Sequence, residues 1–441
     1  MEIPREQYLQ RLLSARQDGF VKVITGLRRS GKSYLLFRLF RNRLLSEGVA
    51  PDHILEFPLD ALGNEALRNP FRLAQAIREQ IVDDRHYYIL IDEIQLCQKV
   101  LPPGVNWSAL APEDRAEAYV SFYDVLNEFL SHGNLDLYVT GSNSKLLSSD
   151  IATGFRGRSE IIQVHPLSFA EFSAFRGESG SGAFREYMTY GGMPQVVLAQ
   201  NETRKREILG DLFESVYLRD ILERHRVQDV LVLECVMDLL CSSVGSLTNP
   251  AKLVRTLESR MKVQSNPTTL KLYLDYLEDA FLFRRAQRYD IRGKRYLEFP
   301  AKYYMEDVGV RNARLSFRQQ EQTHLMENII FNELVARGCA VDVGVVKHET
   351  RENGKHESRQ YEIDFVVNSP AGKIYIQSAW GIDDEDKRAS EMRPFQFCDD
   401  FFARLVVTGS EETPWTDEQG VTYVGVVPFL LNQGILDKLM K

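Results

Sequence analysis

Apolar residues cluster along the chain in two rhythms. Short, mainly apolar runs at Val21-Lys22-Val23-Ile24, His53-Ile54-Leu55-Glu56-Phe57, His86-Tyr87-Tyr88-Ile89-Leu90-Ile91 and Leu135-Asp136-Leu137-Tyr138-Val139-Thr140 predict strands. The third run is the pattern of a parallel strand buried on both faces. Between these runs, helices are predicted from about Arg5 to Leu13, over Tyr34 to Phe40, from Pro70 to Ile81 and from Tyr119 to Leu130, the last ended by Gly133-Asn134. Residues 99–117, with Pro102, Pro103 and Pro112, predict a loop insertion.

The pattern changes after residue 200. Residues 203–241 predict mixed-charge helix around Asp220-Ile221-Leu222-Glu223-Arg224, suited to a lid or a bundle. Asn249 and Pro250 open the next helix as a cap and a first-turn residue should. A break at Lys262 to Asn266 then leads to a second helix from Pro267 to Ala280. That is helix-turn-helix spacing, and Phe281 to Arg285 with Lys294-Arg295-Tyr296 predicts a β wing. Farther on come a helix from His324 to Leu334, strands at Tyr361 to Val367, Lys373 to Ala379, Ala403 to Thr408 and Val421 to Val426, and a closing helix from Pro428, an α/β unit.

A chain of 441 residues exceeds one hydrophobic core and predicts about three domains. The expected divisions are 1–200 for a nucleotide domain, 201–320 for a helical linker and winged helix, and 321–441 for the last α/β domain. Hydrophobic residues at 44% and charged ones at 26% exclude a fibrous or disordered chain. The opening Met1-Glu2-Ile3-Pro4-Arg5-Glu6 lacks the basic and apolar regions of a leader, and no apolar run reaches membrane-spanning length; a cytoplasmic protein is expected. Five cysteines at spacings that match no zinc motif predict free thiols. The net charge of −8 argues against coating nucleic acid by bulk charge. It is uneven, however: residues 321–441 hold 12 basic and 21 acidic side chains, and residues 284–318 hold 10 basic against 4 acidic.

Chemistry concentrates first at Gly26-Leu27-Arg28-Arg29-Ser30-Gly31-Lys32-Ser33, a G-x-x-x-x-G-K-S loop between a strand and a helix. Its glycines let successive N–H groups and the helix N-terminus face one anion. Lys32 is then expected on the β and γ phosphates of ATP and the Ser33 hydroxyl on Mg²⁺, with Tyr34 the next residue of the binding segment. Arg28 and Arg29 rank lower as phosphate contacts, because loop side chains usually face away from the cradle. The third strand ends in two carboxylates, assigned as Asp92 to the metal and Glu93 to the attacking water. Asn143, just past the fourth strand, is the expected γ-phosphate sensor.

Gly26 to Ser33, Ile91-Asp92-Glu93-Ile94-Gln95, Thr140-Gly141-Ser142-Asn143-Ser144, Phe155-Arg156-Gly157-Arg158, Pro166-Leu167-Ser168-Phe169 and Tyr190-Gly191-Gly192-Met193-Pro194 occur in that order. Together they resemble the bacterial and archaeal predicted AAA+ ATPases that carry a carboxy-terminal domain of unassigned function. The resemblance implies an ATPase in which an arginine of one subunit completes the site of the next, with Arg156 and Arg158 the candidates. Shared sites would predict a homo-oligomer. The resemblance also supports a winged-helix fold for the middle region. Thr268, Thr269 and Lys271 on its second helix, with Arg284, Arg285, Lys294 and Arg295 on the wing, are the expected DNA contacts; a protein partner is the alternative.

Glu327 on a helix, Asp364 on a strand and a further strand thirteen residues on form the core of restriction-type nucleases, where an E-x-K tripeptide completes the site. Here that tripeptide is Gln377-Ser378-Ala379, so carboxylate and ammonium are both missing. The expectation is a nuclease-like domain without nuclease activity. Three functions follow for the whole chain: an ATPase coupled to DNA, a slow nucleotide switch that binds protein, or an ATP-gated nuclease.

Overall fold

Val21–Thr25 (β1), Ile54–Pro58 (β2), Tyr87–Asp92 (β3), Leu135–Thr140 (β4) and Ser159–Gln163 (β5) form an all-parallel sheet in the order β2-β3-β4-β1-β5. These strands belong to a computed structural model that describes residues 2–440 except 112, 114, 116–117, 143–153, 156, 353–354, 370–371 and 383–384. Two compact units divide the chain, Met1–His165 and Pro166–Lys441. All five cysteines are free thiols, and no helix among the described residues is long and apolar enough to cross a membrane.

In the first unit, alternation along each strand feeds two cores. Tyr87, Ile89 and Ile91 pack with Leu73 and Ile77 of the helix Pro70–Gln80 and with Val125, Leu126 and Phe129 of Phe122–Phe129. Tyr88 and Leu90 point the other way, toward Leu9 and Leu12 of Glu6–Ser14 and Leu36 and Phe40 of the helical run 32–46. Burial on both faces is why these strands read as apolar runs. The fifth strand carries no such signal: β5 is an edge strand in which only Ile162 is buried, and Ser159, Glu160 and Gln163 break its hydrophobic pattern.

The position of β4 between β1 and β3 matters most for chemistry. Ile24 pairs with Thr140 on one side of it and Ile91 with Val139 on the other. Since all the strands run in the same direction, the ends of β1, β3 and β4 emerge at one edge of the sheet, where ligands of open α/β sheets bind.

In the second unit the expected cap at Asn249 is formed, and Asn266 makes a second one. Asn249 Oδ1 accepts from Lys252 N–H at 2.8 Å and Asn266 Oδ1 from Thr269 N–H at 2.9 Å, opening the helices Pro250–Thr256 and Pro267–Asp279. The long helical stretch before them is divided at Arg226, whose φ of 48° ends one helix before Val230–Ser242 begins. Phe283–Asp290 (β6) and Arg295–Met305 (β7) make the expected hairpin, but not one that stands free as a wing. Strand β6 also pairs in parallel with Ala340–Glu352 (β8), placing Arg288 opposite Val343. The hairpin is thereby one end of an eight-stranded mixed sheet, completed by Lys355–Ser369 (β9), Gly372–Ala379 (β10), Ala403–Thr408 (β11), Trp415–Thr416 (β12) and Val421–Gly425 (β13), in the order β12-β13-β11-β10-β9-β8-β6-β7. Strands on either side of residue 320 share that sheet. The reason lies in β7 itself: Ala301 to Met305 is buried, and such a segment cannot be left to solvent. The exposed residues of the hairpin are the tip, Arg292 to Tyr296, and Glu298 beside it.

Tyr190-Gly191-Gly192-Met193-Pro194 is a packing motif within this unit. Asp307, buried, accepts from Gly192 N–H at 2.7 Å and from Val310 N–H at 3.0 Å, and so caps the helix Val308–Arg314. A Cβ at Gly309 would lie 2.0 Å from the carbonyl oxygen of Tyr190. Backbone cannot give way as a flexible side chain does. Gly309→Ala is therefore expected to lower the unfolding free energy by about 1–3 kcal/mol, read from a denaturant midpoint; an unchanged midpoint would show that the two segments separate freely.

Candidate functional site

Two glycines shape the loop after β1. Gly26 has φ 135°, and a Cβ there would sit 2.2 Å from Val164 O; Gly31 has φ 100° and precedes the first helical residue, Lys32. Leu27 is wholly buried, which anchors the loop, while Arg28 and Arg29 are exposed. Ser30 is buried and its Oγ lacks a hydrogen-bond partner. Lys32, only 4% exposed, donates from Nζ to the carbonyls of Gly26 and Leu27, each at 3.0 Å. Ser33 and Tyr34 are exposed at the start of the helical run.

This loop fits a phosphate chain. Two glycines of positive φ turn its backbone tightly, a helix begins at its end, and its ammonium is held by weakly basic carbonyls that an anion outcompetes.

Arg5 braces the loop from behind, a role no local pattern marks. It is 5% exposed, and its guanidinium donates to Ser30 O at 3.1 Å and to His165 O at 2.7 Å. It lies 4.6 Å from the centre of the Tyr8 ring, whose hydroxyl accepts from His165 N–H at 3.2 Å.

Thr140 joins the ends of β3 and β4. Its hydroxyl donates to Asp92 Oδ1 and accepts from Glu93 N–H at 3.1 Å. Gly141 N–H in turn donates to Ile24 O at 3.0 Å, tying the exit of β4 to β1. Asp92 is 5% exposed, whereas Glu93 is half-buried at φ 52°. The Glu93 carboxylate is held in place: Gln95 Nε2 donates to its Oε2, and Ser142 Oγ approaches the same oxygen at 3.4 Å. Thr140, Gln95 and Ser142 lie inside the conspicuous motifs, yet the motifs alone gave them no role. Ser33 and Asp92 are the residues that would hold a magnesium ion; hard oxygen donors in that number suit a cation whose other ligands are phosphate and water.

The remaining candidates are scattered. Asn143 and Arg156 lie outside the described residues. Arg158 stands at the start of β5, where its carbonyl accepts from Val21 N–H at 3.0 Å, so it is at the sheet edge opposite the loop. Its guanidinium is 3.4 Å from Asn127 Oδ1. Of the basic set, Lys271 pairs with Glu298 at 3.1 Å, Arg284 with Glu306 at 3.8 Å, Arg285 with Glu278 at 3.9 Å and Arg295 with Asp290 at 3.8 Å. Thr268 and Lys294 are exposed, and Thr269 is half-buried. Glu327 and Asp364 are brought together, 2.8 Å and 3.3 Å from Lys302 Nζ; Gln377 instead bonds the Asp364 N–H and Glu391.

Residues 18–173 match a family model described as an AAA domain, and residues 181–321 match a domain of unknown function (DUF8612). An uncharacterized protein of Haemophilus influenzae is 35% identical over 97% of this chain and 98% of its own length. An uncharacterized protein of Methanocaldococcus jannaschii is 26% identical over 83% of this chain and 76% of its own. Among solved structures, the Aeropyrum pernix ORC1 protein in complex with DNA is 14% identical, covering 71% of this chain and 92% of that one, with a TM-score of 0.27. Cdc6p from Pyrobaculum aerophilum is 11% identical, covering 75% and 95%, with a TM-score of 0.29. Scores this low carry nothing about what this chain binds.

Loss of the brace behind the loop has a measurable consequence. Arg5→Gln removes two charge-assisted hydrogen bonds, of a kind worth about 1.5–3 kcal/mol each. Amide hydrogen exchange across Gly26 to Ser33 should quicken while that of β3 holds; unchanged protection of the loop would rule out the brace.

Proposed function

We propose that this chain, which belongs to the same family as its Haemophilus influenzae relative and carries a P-loop AAA domain, is a magnesium-dependent ATPase. The observation that carries the reading is the junction at Thr140, whose hydroxyl binds Asp92 and the Glu93 N–H beside the Lys32 loop's own strand. In this reading Lys32 exchanges its two carbonyl partners for phosphate oxygens, and the N–H groups of the loop orient the same phosphates. Ser33 and Asp92 are the residues that would hold Mg²⁺, which would supply positive charge to offset that of the phosphates. Glu93 orients the attacking water and accepts its proton. Arg158, at the far edge of the sheet, is a candidate finger only toward a neighbouring subunit, which makes assembly part of the proposal; Arg156 is proposed on sequence alone.

One observation favours slow turnover, the behaviour of a switch. Gln95 and Ser142 hold one carboxylate oxygen of Glu93, Oε2, and so restrict how the carboxylate can turn toward water; a partner that frees it would accelerate hydrolysis. For that partner we propose DNA, contacted by the helix Pro267–Asp279 and the exposed hairpin tip in a winged-helix-like arrangement. Thr268, Thr269, Lys271, Lys294 and Arg295 would supply the contacts, joined by the half-buried Arg284 and Arg285 at the base of the hairpin. Because four of these cations already face acids, binding must exchange one ion pair for another, and its affinity should be modest and strongly salt-dependent. The terminal sheet is proposed as a restriction-nuclease-like fold without nuclease activity.

Three variants test the site. Lys32→Ala should abolish ATP turnover. Glu93→Gln should retain ATP and lose hydrolysis by about 10²-fold or more, whereas Gln95→Ala should raise basal turnover several-fold by freeing Glu93. A Glu93→Gln protein that hydrolyses normally refutes the assignment of the water. Duplex DNA should stimulate the wild-type rate at low salt only; a rate indifferent to every nucleic acid would leave the switch reading with a protein partner.

A further inference from the structure

The tripeptide Gln377-Ser378-Ala379 brings no ammonium to Glu327 and Asp364, yet an ammonium stands between them. Lys302 comes from β7 and is 3% exposed. Its Nζ lies 2.8 Å from Glu327 Oε1, 2.9 Å from Glu362 Oε1 and 3.3 Å from Asp364 Oδ1. The helix Gln322–Ala336 supplies Glu327, and β9 supplies Glu362 and Asp364. Three elements thus converge on one nitrogen.

Neighbours fix the acids in that arrangement. Tyr304 OH donates to Glu327 Oε1 at 2.6 Å, and Ser378 N–H donates to Asp364 Oδ2 at 2.9 Å. Gly245 closes over the helix side: at φ +73°, a Cβ there would lie 3.0 Å from Glu327 Oε1. Gln377 stays out of the charge cluster, its amide oxygen accepting from Asp364 N–H at 3.3 Å and its amide nitrogen donating to Glu391 Oε2 at 3.1 Å.

Burial pushes the Glu327 carboxyl up to about 7 although Lys302 and Tyr304 pull it down. Burial works against the charge on Lys302 too, but Tyr304, Glu327, Asp364 and Glu362 outweigh it and hold the ammonium charged.

A divalent ion and this ammonium cannot both fill the space between these three oxygens. Metal–oxygen bonds of about 2.0–2.6 Å to the oxygens that already surround Nζ would set the ion against the ammonium, cation against cation. Among the described residues, no three Asp, Glu, His or Cys side chains are arranged to hold a metal ion; at 2.8, 2.9 and 3.3 Å from Nζ these oxygens are spaced for an ammonium and would have to close in to bind a metal.

We propose that Lys302 is a built-in cation that takes the place of a divalent metal ion among Glu327, Glu362 and Asp364, and that removing its ammonium turns the cluster into a metal-binding site. The inference deepens the reading of the terminal fold as lacking nuclease activity and is independent of the ATPase. It also explains what β7 contributes, since the strand that joins the hairpin to the sheet delivers the neutralising charge. Without that charge, the buried Glu327 and Asp364, beside the partly exposed Glu362, must either take up protons or capture a cation.

The test is Mn²⁺ binding to the full chain without nucleotide, followed by the electron paramagnetic resonance of the free ion. It compares wild type, Asp364→Asn, Lys302→Ala, Lys302→Met and Lys302→Met combined with Asp364→Asn. Wild type and Asp364→Asn should bind alike. Each Lys302 variant should gain an additional ion, bound at least about tenfold more tightly than wild type binds at these acids, and the double variant should lose it. Should a Lys302 variant be unfolded in chelator, recovery of its cooperative unfolding transition in Mn²⁺ supports the proposal. Wild-type binding that Asp364→Asn removes overturns it, and so does a Lys302 variant that gains no ion or that Mn²⁺ fails to refold. A nuclease assay on the same samples separates the two readings: wild-type cleavage abolished by Asp364→Asn sinks the inactivity as well, whereas wild-type metal binding that Asp364→Asn removes, without cleavage, sinks only the inference.

Discussion

A single hydroxyl holds the two halves of the candidate site in register. Thr140 donates to Asp92 and accepts from the Glu93 N–H, and it can do both because β4 lies between the strand that carries the loop and the strand that carries the acids. Parallel strands buried on both faces leave little freedom to slide, since a shift by one residue would exchange their two cores. The positions of loop and acids are therefore consequences of packing that lies well away from them. Arg5 and Gly26 extend the same constraint, pressing the loop backbone against Val164 and His165.

The second unit is held by a different device, charge buried among few partners. Asp307 caps one helix and holds the glycines before Met193, while Lys302 neutralises acids from a helix and a strand. Ion pairs of this kind add little net stability but are costly to break on one side only. They specify which segments meet. The hairpin is consequently part of the terminal sheet at its base, and its exposed residues lie at and beside its tip.

What could be read from the chain depended on how local the signal was. Three of the strands that build the site were legible because burial on two faces leaves continuous apolar runs, and the helix cap at Asn249 because capping is decided within three residues. Strand β5 was silent, as a half-buried edge strand needs no pattern. Strand β8 was missed too, its far end being a polar ladder against β9. The departure at Gln377-Ser378-Ala379 was visible, but its compensation was not: Lys302 lies 62 residues from Asp364, and no spacing rule searches that far. Gln95 and Ser142 sat within noticed motifs, yet only the folded chain shows that they hold Glu93.

The central claim is that the loop and the Thr140 junction enclose one magnesium-bound triphosphate. A crystal structure of the full chain with Mg²⁺ and a non-hydrolysable ATP analogue tests it most directly. The account predicts Lys32 Nζ on the β and γ phosphate oxygens, Ser33 and Asp92 around one ion, and the Thr140 hydroxyl still on Asp92. A nucleotide bound elsewhere, or Lys32 left on the carbonyls of Gly26 and Leu27 with Asp92 out of reach of the ion, would contradict it.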